Sequence, residues 1–78
     1  MLEKHTSVDK IEIAENGIVL VRTVTRILEN GIELSKSYHR TSINPGADFS
    51  HEDARVIAVC EAIHTPAVIA AFLQEQND

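Results

Sequence analysis

Residues 18–31 read Ile-Val-Leu-Val-Arg-Thr-Val-Thr-Arg-Ile-Leu-Glu-Asn-Gly, and this stretch decides the fold. Up to Glu29 it is dense in β-branched side chains, which fit a pleated strand better than a helix. Asn30-Gly31 follows, and this dipeptide is the strongest short signal for a two-residue hairpin turn. The stretch therefore predicts a long strand over 18–29 that turns back on itself.

The flanking segments predict one strand on each side of it. Before it, Ile11 and Ile13 alternate with charged residues, which is typical of a half-buried strand over about 8–14. Glu15-Asn16-Gly17 then supplies a second hairpin signal. After Gly31, residues 32–42 form the third predicted strand. We therefore expect a three-stranded antiparallel β-meander, with residues 1–7 as a flexible N-terminus.

The last third of the chain predicts two helices. Asn44-Pro45-Gly46 suits a type II turn, and Ser50 or Asp48 can cap a helix over about 51–64. Thr65-Pro66 suits the cap and first residue of a second helix over about 66–75, although one kinked helix is an alternative. The fold class is thus α+β, in one domain over 8–76 with 77–78 as a tail.

The register of the strands decides which side chains share a face. A two-residue turn at Asn30-Gly31 pairs Ile27 with Leu34 and Thr23 with Tyr38. A three-residue turn at 15–17 pairs Ile11 with Val21 and Ile13 with Val19. The face predicted to form the core then contains Ile11, Ile13, Val19, Val21, Ile27, Ile32, Leu34 and Tyr38.

The opposite face of the sheet is the predicted interface. It carries four aliphatic side chains among polar groups, which is more than plain solvent exposure favours on so small a chain. The candidate interface residues are Ile18, Leu20, Arg22, Val24, Arg26, Leu28 and His39. The expected partner is a second copy, with a dimer foremost, or a different protein.

The charge is unevenly distributed along the 78 residues, whose net charge is −5. Residues 45–78 carry Arg55 against six acids, so the overall field does not favour a nucleic-acid partner. The acidic half could instead imitate a nucleic acid, and Arg22, Arg26 and Arg40 remain a weaker candidate for binding one. A single cysteine, Cys60, excludes an internal disulfide and fits a reducing cytoplasm. No apolar run is long enough for a membrane span.

No constellation of catalytic residues is predicted. Ser50, His51, Glu52 and Asp53 are consecutive, so at a helix start they point about 100° apart and cannot hydrogen-bond as a triad. Cys60 and His64 share a helix face and could bind a metal, but a structural zinc site needs two further ligands from His5, His39 or His51. We therefore expect no enzyme, no cofactor and no metal.

Several segments resemble a family of short uncharacterised proteins encoded by tailed bacteriophages, prophages and marine viral metagenomes. They are Val21–Arg26, Glu29-Asn30-Gly31, Tyr38-His39-Arg40, Pro45-Gly46-x-Asp48-x-Ser50-x-Glu52-Asp53-Ala54 and His64-Thr65-Pro66-x-Val68-Ile69-Ala70-Ala71-Phe72. The similarity runs from Val8 to Phe72, and it implies a viral origin without transferring any site residue.

The function expected from these observations is a non-enzymatic protein–protein interaction module of phage origin, either a minor virion or tail-associated component or an assembly factor. The alternative is a small phage regulator or host-directed inhibitor. If the partner is not a second copy, the resemblance implies another phage protein or a host protein. We expect the chain in the cytoplasm of the host cell or associated with the virion.

Overall fold

The computed structural model describes residues 1–76 and shows one antiparallel sheet followed by two helices. The strands are β1 (Leu2–Ile13), β2 (Val19–Glu29) and β3 (Ile32–Ile43), in the order β1-β2-β3. The helices are α1 (Ala54–Ile63) and α2 (Pro66–Gln76). The predicted α+β meander is confirmed, while the predicted tail at 77–78 lies outside the described residues.

Both hairpins form as their turn residues predict. Asn30 and Gly31 have φ values of 54° and 82°, as a two-residue turn between twisted strands requires. At the first hairpin, Ala14 donates its N–H to Ile18, and Gly17 adopts a φ of 95°. Residues 15–17 therefore form the predicted three-residue turn with its glycine in the left-handed region.

The first strand is longer than its sequence predicts. Residues 2–7, expected to be flexible, pair with β2 from Leu2 opposite Glu29 to Ser7 opposite Val24. Polar residues on both faces give this segment no hydrophobic alternation, so its sequence carries no strand signal. The long β2 nevertheless offers unpaired backbone groups along its whole length, and residues 2–7 satisfy them.

Helix α1 begins three residues later than predicted. Its cap is Asp53, whose carboxylate accepts the Arg55 N–H at 2.8 Å. Asp48 instead closes a turn by accepting the Ser50 N–H at 2.9 Å, and this hydrogen bond lowers the pKa of Asp48. Helix α2 begins at the predicted Thr65 cap, whose hydroxyl accepts the Val68 N–H at 3.3 Å. The chain bends by 80° between the helices, so they are separate elements.

Two β-bulges change the predicted register. The pairings of Ile11 with Val21 and Ile13 with Val19 are confirmed. On β3, however, the ladder shifts by one residue between Ile27 and Leu28, so that Ile27 lies opposite Ser35 rather than Leu34. Tyr38 consequently lies opposite Val24 instead of Thr23, which moves its side chain to the other face of the sheet. A second shift lies beside Asp9 on β1.

The hydrophobic core lies at one end of the sheet, where the helices pack. Its buried cluster contains Val19, Val21, Ile43, Val56 and Cys60, with Val8, Ile11, Phe49 and Val59 packed against it. Four side chains predicted for the core are exposed: Ile13, Ile32, Leu34 and Tyr38. Tyr38 is exposed because it is on the other face, and Ile32 and Leu34 because no helix covers their part of the sheet.

Candidate interaction surface

Half of the sheet projects beyond the helices. We call this half, residues 2–7, 24–29 and 32–38, the arm, and the rest of the chain the body. All arm residues on the two outer strands are exposed, and every residue of the core cluster belongs to the body. The longest axis of the molecule is 52 Å, and its radius of gyration is 16.0 Å. A compact chain of this length has a radius of gyration of about 11.5 Å.

The arm follows from the lengths of the elements. A strand of 12 residues spans about 40 Å. Helices of 10 and 11 residues span only about 15 Å each. Since the chain bends between the two helices, their layer covers one end of the sheet and leaves the other end bare.

The two faces of the arm differ in chemistry. Strand β2 carries no bulge, so its side chains alternate strictly between the faces. One face, which we call the charged face, carries Val24 and Arg26 of β2 in the arm and continues into the body at Arg22 and Leu20. The pairing partners of Arg22, Val24 and Arg26 on β3 are Arg40, Tyr38 and Lys36. The other face continues the one on which the helices pack.

Arg22 is held at the centre of the charged face by two contacts. Its guanidinium donates to both carboxylate oxygens of Asp9, at 3.0 and 2.8 Å, and it lies 4.5 Å from the centre of the Tyr38 ring. The hydrogen bond from Arg22 holds the pKa of Asp9 below its ordinary value. The same bond raises the pKa of Arg22. This cluster is therefore charged at neutral pH and satisfied within the chain.

Other cations of the charged face also have partners in the chain. Arg26 and Lys36 approach the Glu33 carboxylate at 3.3 and 3.9 Å. Lys10 lies 2.6 Å from Glu12, and its hydrogen bond lowers the pKa of Glu12. The charged face is consequently a set of ion pairs, two between strands and two within a strand, which is the ordinary use of such residues on a solvated sheet.

The structure separates the residues of the predicted interface. Val24 is fully buried, and Leu20, at 41% exposure, is the one aliphatic of the set that is largely exposed. Ile18 and Leu28 are half-buried, while Arg22 and Arg26 are engaged in ion pairs. The set is therefore not a continuous apolar patch.

His39 does not share the face on which the sequence register placed it. It lies opposite Thr23, whereas Arg22 and Val24 are paired with Arg40 and Tyr38. The physical reason is the bulge at Leu34, which moves every β3 residue after it to the opposite face from the one predicted. His39 is exposed on the helix-bearing face instead.

The most exposed apolar side chains lie at the tip of the arm, and sequence reasoning assigned them elsewhere. Met1, Leu2, Ile32 and Leu34 are 89%, 64%, 68% and 55% exposed. Leu2 and Ile32 flank Glu29 at the same level of the sheet. The lengths of the predicted strands, rather than any pattern within residues 2–7, indicate that the tip forms. The predicted β2 is longer than the predicted β1, so residues before Val8 are needed to complete the pairing.

The helix-bearing face of the arm is rich in hydroxyl groups, and we call it the hydroxyl face. Its members by register are Leu2, Lys4, Thr6, Thr25, Ile27, Glu29, Ile32, Ser35 and Ser37. The Thr6 and Thr25 hydroxyls lie 3.3 Å apart. Only Lys4 and Glu29 carry ionic groups here, in contrast to the opposite face.

A groove of about 860 Å³ lies in the body between the first hairpin and α2. Ile13, Ile63, Val68 and Phe72 contribute to its walls, as do the acids Glu15 and Glu75. His64 lies 2.8 Å from the carbonyl of the lining residue Gly17 through Nε2, while its Nδ1 is buried without a partner within residues 1–76.

Cys60 and His64, which share a helix face, gather no further metal ligand within residues 1–76. Cys60 is fully buried, and its burial raises the pKa of the thiol. Within residues 1–76 no three His, Cys, Asp or Glu side chains are arranged to hold a metal ion.

No family model, curated protein or solved structure matches the chain. In the described part of the chain, no single helix has the length and apolar character to cross a membrane. Helices α1 and α2 meet that requirement only together, by length and composition, as a pair bent by 80°.

Proposed function

We propose that the chain is a non-enzymatic interaction module that binds a protein surface through its arm. The observation that carries this proposal is the arm itself, which extends a three-stranded sheet past the core cluster with no helix over either face. Sheets of this size gain independent stability when one face packs against another layer. A partner on the arm would supply that layer.

The exposed surface of the chain supports the same proposal. The chain exposes 5537 Å², whereas a compact monomer of 8.6 kDa exposes about 4700 Å². The difference, 5537 minus 4700, is roughly 840 Å². Each partner in a standard protein interface buries about 800 Å². The excess is thus close to the area of one such interface.

The resemblance to short phage and prophage proteins gives this module its proposed setting. A minor virion or tail-associated component, or an assembly factor, acts by holding other proteins rather than by chemistry. Mass spectrometry of purified particles tests the setting separately. Presence of the chain supports a virion component, and absence favours an assembly factor or a regulator directed at the host.

The charged face weakens the nucleic-acid alternative. Arg22, Arg26 and Arg40 do share this face, as a binding patch would require. However, Arg22 and Arg26 are already paired with Asp9 and Glu33, so binding phosphate would break those ion pairs. Of these three arginines, only Arg40 has no ion-pair partner within residues 1–76. A basic patch would show binding to DNA or RNA that falls steeply with salt.

Amide hydrogen exchange on the dilute chain tests the role of the arm. With light scattering confirming a monomer, we expect amides in 2–7 and 32–38 to exchange much faster than those of 19–21 in the body. The reason is that no apolar layer covers the arm. Arm amides as protected as those of the body, in a monomer, would mean that the arm needs no partner, and would overturn the proposal.

A further inference from the structure

We infer that the partner of the arm is a second copy of this chain, packed hydroxyl face against hydroxyl face with the two arms antiparallel. This inference rests on the proposed function, because it names the partner for the same arm. It departs from the sequence expectation in one respect: the contact lies on the helix-bearing side of the sheet, opposite the charged face.

The cost of removing water favours the hydroxyl face. Burying an ionic side chain is expensive unless its pairing survives intact. The charged face would carry Arg22, Arg26, Lys36 and Glu33 into an interface, whereas the hydroxyl face carries only Lys4 and Glu29. Serine and threonine hydroxyls can donate and accept at once, so two such faces can satisfy each other. Leu2, Ile27 and Ile32 add apolar area.

The spacing between packed layers also fits a second arm on the hydroxyl face. Helix α1 packs on the same side of the sheet as the hydroxyl face, since Val56 and Cys60 join Val19 and Val21 in the core. A sheet packs on another sheet at about 10 Å. A partner arm laid on the hydroxyl face would therefore occupy the layer that α1 occupies over the body. The end of α1 then limits how far the two arms overlap.

Charge complementarity sets the direction of the arms. Glu29 lies at the tip, while Arg55, at the start of α1, donates to the Val8 carbonyl at 2.7 Å near the base of the arm. The Arg55 side chain is 63% exposed, and its Nε lies 3.4 Å from the Asp53 carboxylate, so Glu29 of the partner would share this guanidinium with Asp53. Antiparallel arms bring each Glu29 towards the Arg55 of the partner. Parallel arms would instead place the two Glu29 carboxylates together, and like charges repel.

The test uses a matched pair of arginine substitutions. Ser37 and Ser7 are both exposed serines on outer strands of the arm, but Ser37 is on the hydroxyl face and Ser7 on the charged face. Light scattering over a dilution series should show the wild-type mass rising from 8.6 kDa to twice that value. We expect Ser37→Arg to weaken the dimer at least about tenfold, and Ser7→Arg to leave it within about twofold.

A disulfide measurement provides a second test that does not depend on whether the arginine variants fold. In a Cys60→Ala background, which removes the native thiol, Thr25→Cys lies near the centre of the hydroxyl face. We expect it to form an intermolecular disulfide under mild oxidation, and Ser7→Cys to form none. Circular dichroism at low concentration checks that both variants fold.

Three outcomes would overturn the inference. A chain that stays monomeric to millimolar concentration has no self-association, and the proposed function then survives only if its arm amides still exchange rapidly. Equal weakening by Ser7→Arg and Ser37→Arg would place the contact on the strand edges or the charged face. A disulfide at Ser7→Cys in preference to Thr25→Cys would do the same.

Discussion

Arg22 donates two hydrogen bonds to Asp9 across the one-residue bulge of β1, from Nε at 3.0 Å and from Nη2 at 2.8 Å. The bulge leaves Asp9 without a partner in the ladder, which frees its carboxylate to reach the neighbouring strand. Arg22 also lies over Tyr38, the pairing partner of Val24. The guanidinium and the ring thus lie on the same face as Val24, which is fully buried there although no helix covers that face.

The Asp9–Arg22 pair predicts a pH-dependent contribution to stability. Because the folded-state pKa of Asp9 is lowered by Arg22, the contribution is fully present above the unfolded-state pKa and is lost as the pH falls through the lowered folded-state pKa. We expect Asp9→Asn to melt at a lower temperature than wild type at pH 7, and the difference to disappear in strong acid. Thermal melts from pH 7 to pH 2 measure it.

The control is Glu15→Gln, which removes an exposed carboxylate that makes no ion pair within residues 1–76. Its melting temperature should stay close to that of wild type at every pH. A difference for Asp9→Asn that persists unchanged into acid would show that the side chain matters for its shape and not its charge.

Two aliphatic residues on the charged face should differ sharply in their contribution to stability. Val24 is fully buried and Leu20 is 41% exposed, although they are only four residues apart on the same face of β2. We expect Val24→Ala to lower the free energy of unfolding by about 2 kcal/mol, from lost burial and a new cavity. Leu20→Ala should cost less than half as much. Urea unfolding at one fixed protein concentration compares them.

This pair also tests the interface that the sequence suggested. If the charged face were buried in an assembly, Leu20 would be covered there, and Leu20→Ala would weaken self-association. We expect no change in the dilution series for this variant. A large effect of Leu20→Ala on the oligomer would favour the charged face over the hydroxyl face.

The buried thiol reports on opening of the body. Cys60 is fully buried and its burial raises the pKa, so both access and thiolate content are low. We expect iodoacetamide at pH 8 to label Cys60 at least about 100-fold more slowly in the native chain than in denaturant. Mass spectrometry follows the reaction. Equal rates would mean that the core between α1 and the sheet does not close.

Local signals were enough to predict the element order. Asn30-Gly31, Glu15-Asn16-Gly17 and Thr65-Pro66 act through backbone geometry that neighbouring residues cannot change, and all three turns or caps form where predicted. The start of β1 was missed because residues 2–7 are paired by backbone hydrogen bonds, to which side-chain alternation gives no clue. The α1 cap was missed because Asp48, Ser50 and Asp53 all have capping side chains.

The face on which each β3 side chain lies could not be predicted, because one bulge moves every residue after it to the opposite face of the sheet. Leu34, the extra residue of the β3 bulge, has no sequence signature, yet it places Tyr38 on the same face as Arg22 and His39 on the opposite face. The exposure of the apolar side chains at the tip of the arm could not be predicted for a different reason. The alternation of side chains predicts which face of the sheet carries Ile32. Only the short lengths of α1 and α2 show that no layer covers that face at the tip.

The glycines of the two hairpin turns allow the cost of backbone strain to be compared with the cost of steric contact. Gly17 and Gly31 have φ values of 95° and 82°, so an added side chain is strained at both. At Gly17 a Cβ would also lie 2.6 Å from Val68 Cγ1 and 3.2 Å from Pro45 Cγ, while at Gly31 it would meet nothing within 4 Å. The contact exists because α2 packs directly on the first hairpin.

We therefore expect Gly31→Ala to lower the free energy of unfolding by about 1–2 kcal/mol, from backbone strain alone. Gly17→Ala should cost roughly 1–3 kcal/mol more, from overpacking against α2. Adding Val68→Ala should recover part of the loss at Gly17 and none at Gly31, because it removes the methyl group that the new Cβ meets. Urea unfolding of the single and double variants measures this coupling. Equal losses at the two glycines, with no recovery, would show that α2 does not rest on the hairpin.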